Sequence, residues 1–484
     1  MRFSSWLALA VALCSVCTGG AVYAQAVPNN SLITLVNSGQ YRYNRLEKLS
    51  AIGNQEAYNQ LFAACANATA PGGGCPVAQF RIFKIAEELV QSANELLGAG
   101  PTQFSLRVDA EGLGFALRWT AAEEMSAPGT VSTEFANTQI ASVMSRITAL
   151  RFGATGASIA GAGITARGGS AGADGDDLPT GRWGGYLDGG FGYGKRHPTE
   201  LEDAFAFDGK NFTAGVDYRF TPRVVLGGMI AHDTQRIEFD SSQSVVSGNM
   251  KTSGTGITLY GLYEWEGPYV DMALGWQRMS IDSHRAINYP SFNLNVEPVT
   301  ALATGTTKST SIVSSLDFGW PISIRAAGID PYGRLEYRSI GINGFTEDSI
   351  YTGGSRTGQA AGYGFSVDDQ SLKSLDGSIG VKIRYVFKPS FGVIIPYFKA
   401  ELHHNFDTNP FNVKAMYYGQ NGQASGNTGF DLPSDARVST YKVYAGGLSM
   451  VLPHGWQVFA QYQGTSGIPY LGNHVINGGI RGEF

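Results

Sequence analysis

The chain has 484 residues, a net charge of −5, 15% charged and 12% aromatic residues, and 64 glycines. So mild a charge argues against a nucleic-acid partner. No run of eighteen apolar residues follows residue 24, which excludes a membrane-spanning helix from the mature chain.

At the N-terminus, Arg2 precedes an apolar run from Trp6 to Val16, then small residues and Val22-Tyr23-Ala24. A basic start, a short apolar stretch and a small-residue cleavage site predict a signal peptide over 1–24. Cys14 and Cys17 are not preceded by the small residue that a lipoprotein signal needs at the adjoining position, so no lipid anchor is expected. An exported chain that is rich in glycine and aromatics, poor in charge and without a spanning helix leaves three main classes. These are a secreted β-solenoid, a β-sandwich array and an outer-membrane barrel.

Residues 25–130 read as a short helical region. One helix is expected near 41–64 and another over 79–97, the latter closed by Gly98 as its C-terminal cap. Between them lie Cys65 and Cys75, the cysteines that remain after cleavage. They flank a loop ending in Pro-Gly-Gly-Gly and predict one disulfide in an oxidising compartment. Two cysteines with no histidine nearby are too few for a metal site.

Residues 131–181 hold a third helix and a linker. The helix is expected over 133–152, capped by Ser132 or Thr133, with Glu134 in its first turn. Ile140, Val143, Ile147 and Leu150 recur along it at helical spacing. The Gly-, Ala- and Ser-rich stretch from 153 reads as linker, and its Asp174-Gly175-Asp176-Asp177 end as a solvated turn that does not match a calcium loop.

From 182 to 484 strict alternation takes over. Phe212, Ala214, Val216, Tyr218 and Phe220 alternate with Thr213, Gly215, Asp217 and Arg219, and Met272, Leu274 and Trp276 with Asp271, Ala273, Gly275 and Gln277. A period of two places each set on one face of a strand. Twelve strands are predicted, near 182–196, 211–220, 223–239, 250–265, 268–286, 308–324, 330–344, 374–388, 393–406, 439–452, 456–469 and 473–484. Short connections such as Thr221-Pro222 and Glu266-Gly267 alternate with long ones near 197–210, 240–249, 287–307, 345–373 and 407–438. Long apolar faces, an even strand number and loops that are long at one end only predict an antiparallel outer-membrane β-barrel. The hairpin at 466–472 fits that layout least. Ile480, Gly482 and Phe484 alternate to the C-terminus and are expected to be the signal read by the barrel-assembly machinery.

Residues 182–484 resemble the autotransporter β-domain of type V secretion. The resemblance rests on "FTAGVDYRFTPRVVLGGMIAH", "DPYGRLEYRSIGINGFTE", "IPYFKAELHHNF" and "FAQYQGTSG" with "VINGGIRGEF", in that order. Upstream, "FANTQIASVMSRITALRFGATG" resembles the helix that such proteins place before the barrel. The resemblance implies a helix in the lumen, carrying Arg146, Ile147, Leu150 and Arg151. It also implies outer-membrane lipid, assembly machinery and periplasmic chaperones as partners, and a monomer whose N-terminal region reaches the cell surface. Ala141-Ser142 stands where family members that cleave themselves carry an Asn pair, so autocleavage is not expected.

No catalytic, cofactor or metal site is expected. There is no G-x-S-x-G or H-E-x-x-H motif, and the first histidine of the chain is His197. His403 and His404 are neighbours on one strand and face opposite sides. Arg334, Glu336, Arg338, Lys399 and Glu401 are expected to face the lumen and to brace its wall and any plug helix. The alternatives are an adhesin that presents Tyr417, Tyr418 and the loop 419–429 to an unknown ligand, and a passive channel with a periplasmic helical domain.

Overall fold

A computed structural model describes residues 29–121, 123–151, 182–240, 245–420, 429–452 and 456–483. The expected signal peptide, Phe152 at the end of the expected third helix, the linker 153–181 and Phe484 lie outside the described residues.

The helical region contains α1 (Ser31–Asn37), α2 (Arg45–Cys65), α3 (Val77–Leu96) and α4 (Ala110–Trp119). α2 starts where Asn44 and Glu47 form a reciprocal capping box, each side chain bonding the other's backbone N–H. α3 ends at Leu96, and Gly98 follows in the left-handed conformation at φ 68°, as its C-terminal position requires. Cys65 and Cys75 are joined by a disulfide, with Cα atoms 4.9 Å apart. The two short helices α1 and α4 were not foreseen. α4 is signalled by Asp109, whose carboxylate caps it by accepting from the Gly112 N–H.

A single 3-10 turn, Glu123–Ser126, leads into α5 (Ala127–Arg151). α5 therefore begins six residues before the expected start, and neither Ser132 nor Thr133 caps it. Pro128, in the first turn, needs no intrahelical donor there, and the 3-10 turn replaces a side-chain cap.

The strands are β1 (Trp183–Arg196), β2 (Phe205–Thr221), β3 (Val224–Phe239), β4 (Gly248–Glu264), β5 (Tyr269–Tyr289), β6 (Val299–Gly319), β7 (Ile322–Ile324), β8 (Ala327–Ile342), β9 (Phe345–Tyr351), β10 (Phe365–Val367), β11 (Gln370–Tyr385), β12 (Val393–Asn405), β13 (Asn412–Tyr417), β14 (Phe430–Pro433), β15 (Thr440–Val451), β16 (Gln457–Ser466) and β17 (Leu471–Glu483). Five of these, β7, β9, β10, β13 and β14, are short and lie in the connections. The other twelve pair in antiparallel order, and β17 returns to β1 through pairs running from Gly184↔Glu483 to Arg196↔Leu471. The barrel is closed, so no backbone edge meets lipid.

The alternation sorts as expected. Phe212, Val216, Met272, Leu274 and Trp276 are exposed on the outer wall, and Thr213, Asp217, Asp271 and Gln277 are buried in the lumen. At the short-turn end an aromatic girdle includes Trp183 against Tyr218 and Tyr263 against Trp265, with ring centroids 4.9 and 4.6 Å apart.

At the long-loop end the strands run further than predicted. β6 begins at Val299, and the stretch assigned to one strand as far as 324 breaks after Gly319 into the separate β7. The extra length projects above the apolar band, and its inward residues are covered there by the helices. Phe205, Ile237, Met250, Ile281, Ile287 and Tyr289 share one apolar core with Leu35, Leu61, Phe83, Leu89 and Leu113.

Candidate functional site: the lumen and its outer mouth

α5 runs down the lumen from the long-loop end to the short-turn end. Its apolar side packs Ile140, Val143, Met144, Ile147 and Leu150 against the inward residues Val225, Met229, Leu262, Val313 and Tyr332. The wall is hollowed to receive it: a Cβ placed on Gly254 would lie 2.9 Å from the Phe135 ring, and one on Gly256 would run into the Gln139 amide.

Polar contacts fix the helix along its length. Ser132 bonds the Ser309 hydroxyl at 3.0 Å, and the Gln277 amide donates to Gln139. The Arg146 guanidinium donates to Asp217 at 2.6 Å, with side chains only 1% and 4% exposed, and the Tyr260 hydroxyl donates to the same carboxylate at 3.0 Å. At the far end Arg151 donates to Asp330 at 2.5 Å. On the other flank Lys382 donates to Thr148 at 2.6 Å, Arg481 to Ser145 at 3.2 Å and Asn473 to Glu134 at 2.6 Å. A cavity of about 160 Å³ lies beside α5, lined by Glu134, Lys399, Glu401, Gln461 and Asn473 among others.

Ile147 and Leu150 thus meet the wall through apolar contact, and Arg146 and Arg151 through ion pairs. The five expected lumen charges also cluster, but around one another. Arg334 donates to Asp317 at 2.8 Å and lies 3.4 Å from both Glu336 and Glu401. Arg338 bridges Glu336 and Asp376, and Lys399 reaches Glu401 at 3.1 Å. Their ion pairs run among themselves and to Asp317 and Asp376 on the wall, and Arg338 also attracts Glu134 of α5. They brace β6, β8, β11 and β12, whereas Asp217 and Asp330 hold the helix. Ile480 is exposed to lipid, and Gly482 pairs with Gly185 across the closing seam. His403 is buried and stacks on Tyr441, while His404 is exposed on the opposite face.

The outer mouth is closed by the helical region itself. Leu46 N–H donates to the Glu200 carbonyl at 3.2 Å, and Phe292 N–H to the Leu106 carbonyl at 2.8 Å. The Asn293 amide donates to the carbonyls of Gln103 and Ser105 at 2.9 and 2.6 Å. The Tyr417 hydroxyl donates to Asn54 at 2.8 Å beneath this cap, so Tyr417 is not a surface contact; Tyr418 is exposed, and residues 421–428 lie outside the described residues. Gly53 lets the Phe430 ring lie against α2, since a Cβ there would be 2.6 Å from it.

Acidic groups are buried where cap and barrel meet. Glu123 and Glu124 are 3% and 2% exposed, and neither carboxylate meets a hydrogen-bond partner at normal geometry. Burial pushes the Glu123 carboxyl up to about 7 against the nearby Arg118 and Arg285. Burial, and then the neighbouring Glu123, push Glu124 well above the usual carboxylate range. Arg285 meanwhile pairs with Glu347 at 2.8 Å.

A family model described as the autotransporter β-domain matches residues 183–463, more than half of the chain. No curated protein matches it. Among solved structures, the translocator domain of the autotransporter NalP from Neisseria meningitidis is 14% identical, covers 64% of this chain and 90% of its own, and has a TM-score of 0.46. The β-domain of the Bordetella autotransporter BrkA is 15% identical over 62% of this chain and 99% of its own, with a TM-score of 0.41. The transport unit of AIDA-I from Escherichia coli is 13% identical over 64% and 91%, with a TM-score of 0.36.

Proposed function

The chain belongs to the autotransporter family, the outer-membrane translocators that carry their own N-terminal region to the cell surface, and from that premise we propose that this barrel keeps its passenger as a fixed cap on the pore it came through. The observation that carries this reading is the direction and packing of α5. Its first turn meets the cap at the long-loop end, its last turn bonds Asp330 at the short-turn end, and the cap shares one apolar core with the barrel rim. A core buried continuously across two parts resists their separation, because releasing the cap would expose that apolar surface to water.

In this reading residues 1–24 direct export and are removed, and the assembly machinery reads the last strand with Ile480, Gly482 and Phe484. One chain closes the barrel alone, which suits a monomer. Autotransporter β-domains are translocators and generally not enzymes. For the cap we propose a display role without catalysis, supported by the absence of histidine from residues 25–181. A passive channel with a periplasmic helical domain is not favoured, since the cap sits on the long loops.

The test is an epitope placed beside Asn29 and labelled on intact cells. Signal that stays with the cells on a full-length chain is expected. No signal from a correctly inserted barrel, or signal shed to the medium on a fragment, overturns the reading.

A further inference from the structure

On the outer wall, each long strand carries a run of apolar residues that ends towards the long loops. The residue at the next outward position is distinctive. It is Lys195 on β1, Lys210 on β2, Arg278 on β5, Lys373 on β11 and Lys442 on β15, all exposed. On β3, β12 and β17 the position is held by a histidine, and on none of the twelve strands by an acid. The apolar residue just below is Tyr193, Phe212, Trp276, Leu375 or Tyr444 on the five strands named. Outward positions are about 7 Å apart along a strand, so these cations stand one step above the hydrocarbon.

Surface lysines and arginines on a β-wall commonly answer an acid on the next strand. Here none of the five makes an ion pair among the described residues, whereas the exposed Arg236, further up the wall, pairs with Glu238. The cap does not cover them, because it binds inside the rim.

We propose that this ring of cations docks the phosphorylated headgroups of an anionic outer-leaflet lipid, with the acyl chains lying on the apolar wall beneath. Guanidinium and ammonium groups recognise phosphate by charge and by donated hydrogen bonds, and basic residues at a membrane surface each add to the attraction. Unpaired cations, each directly above the apolar run of its own strand, match a ligand whose phosphates sit directly above its acyl chains. A free phosphate would not need the band. The inference rests on the long loops facing outward, which the surface label at Asn29 tests independently.

The experiment uses the purified full chain in zwitterionic detergent. Binding is measured for diphosphorylated lipid A, for the same lipid stripped of phosphate, and for inorganic phosphate alone. Wild type should bind the phosphorylated lipid and neither of the others, with an affinity that falls as salt rises. The variant K195Q/K210Q/R278Q/K373Q/K442Q should lose about tenfold or more of that affinity, while R325Q/K388Q at the short-turn end keeps it. Replacing the four lysines by arginine should preserve binding. Equal binding of the dephosphorylated lipid overturns the proposal on wild type alone. So does an unchanged affinity in the glutamine variant, or saturation by inorganic phosphate.

Discussion

Arg146 and Asp217 show how much one pair of side chains can carry in a lumen. Both are almost fully buried, 2.6 Å apart, beside the apolar contacts that α5 makes with the wall. Removing one member of a buried pair leaves the other charged and unsolvated, which costs far more than the pair contributes as a whole. Asp217→Asn should therefore destabilise the folded chain by about 3–5 kcal/mol, read as a lower urea midpoint. Arg146→Met combined with Asp217→Leu should recover most of the loss, and a double variant as unstable as the single one would show that the pair does not act as a unit. Arg146 was legible in the sequence, through the likeness of its helix to a family feature. Asp217 was visible only as one polar residue among many on an alternating strand, because nothing local records which inward acid a helix from elsewhere will meet.

Among the elements, the barrel strands were the most legible and the start of α5 the least. A period of two is enforced twice over, by lipid outside and a wet lumen inside, so Phe212 to Phe220 and Met272 to Trp276 announce their faces without tertiary information. The start of α5 has no such double constraint. Ser132 reads as a cap, yet it lies inside the helix with its hydroxyl on Ser309. The strand ends above the membrane were missed for the related reason that their burial depends on the cap. What seats α5 is the hollow at Gly254 and Gly256. The 3.0 Å separation of the two serine hydroxyls makes a direct probe. In a Ser132→Cys/Ser309→Cys chain, a second disulfide should form readily, since the paired positions already hold their side-chain atoms close. Adding Gly256→Leu should suppress that cross-link, because the new side chain would take the space of Gln139. Undiminished cross-linking would mean that the hollow is not what positions the helix.

For the whole molecule, the decisive feature is that the cap and the barrel have one core, with titratable groups trapped in the join. Glu123 and Glu124 face Arg118 from α4, Arg285 from β5 and Glu347 from β9. Three carboxylates thus share Arg285 and Arg118, and Arg118 is itself paired with Asp203. The sign of the pH effect follows from the direction of the shifts. Burial on docking raises the Glu123 carboxyl from 4.5 to about 7 and raises Glu124 too, so the docked state binds more protons than the separated one over that range. Stability of the join is then full below about pH 4.5 and is lost progressively as pH rises through about 7 and beyond. Since the helices among the described residues lie in the cap and α5 and the barrel is strand, helical circular dichroism reports on those two. Its melting temperature should be higher at about pH 5 than at about pH 9, and Glu123→Gln with Glu124→Gln should flatten the dependence because the amides remain neutral throughout. A steep dependence that survives in the double variant would move the titration to other groups, with Glu88, which burial raises to about 8, the first to replace. A cap that melts more readily in acid than in alkali would reverse the sign and rule out these two carboxylates as the source of the pH dependence.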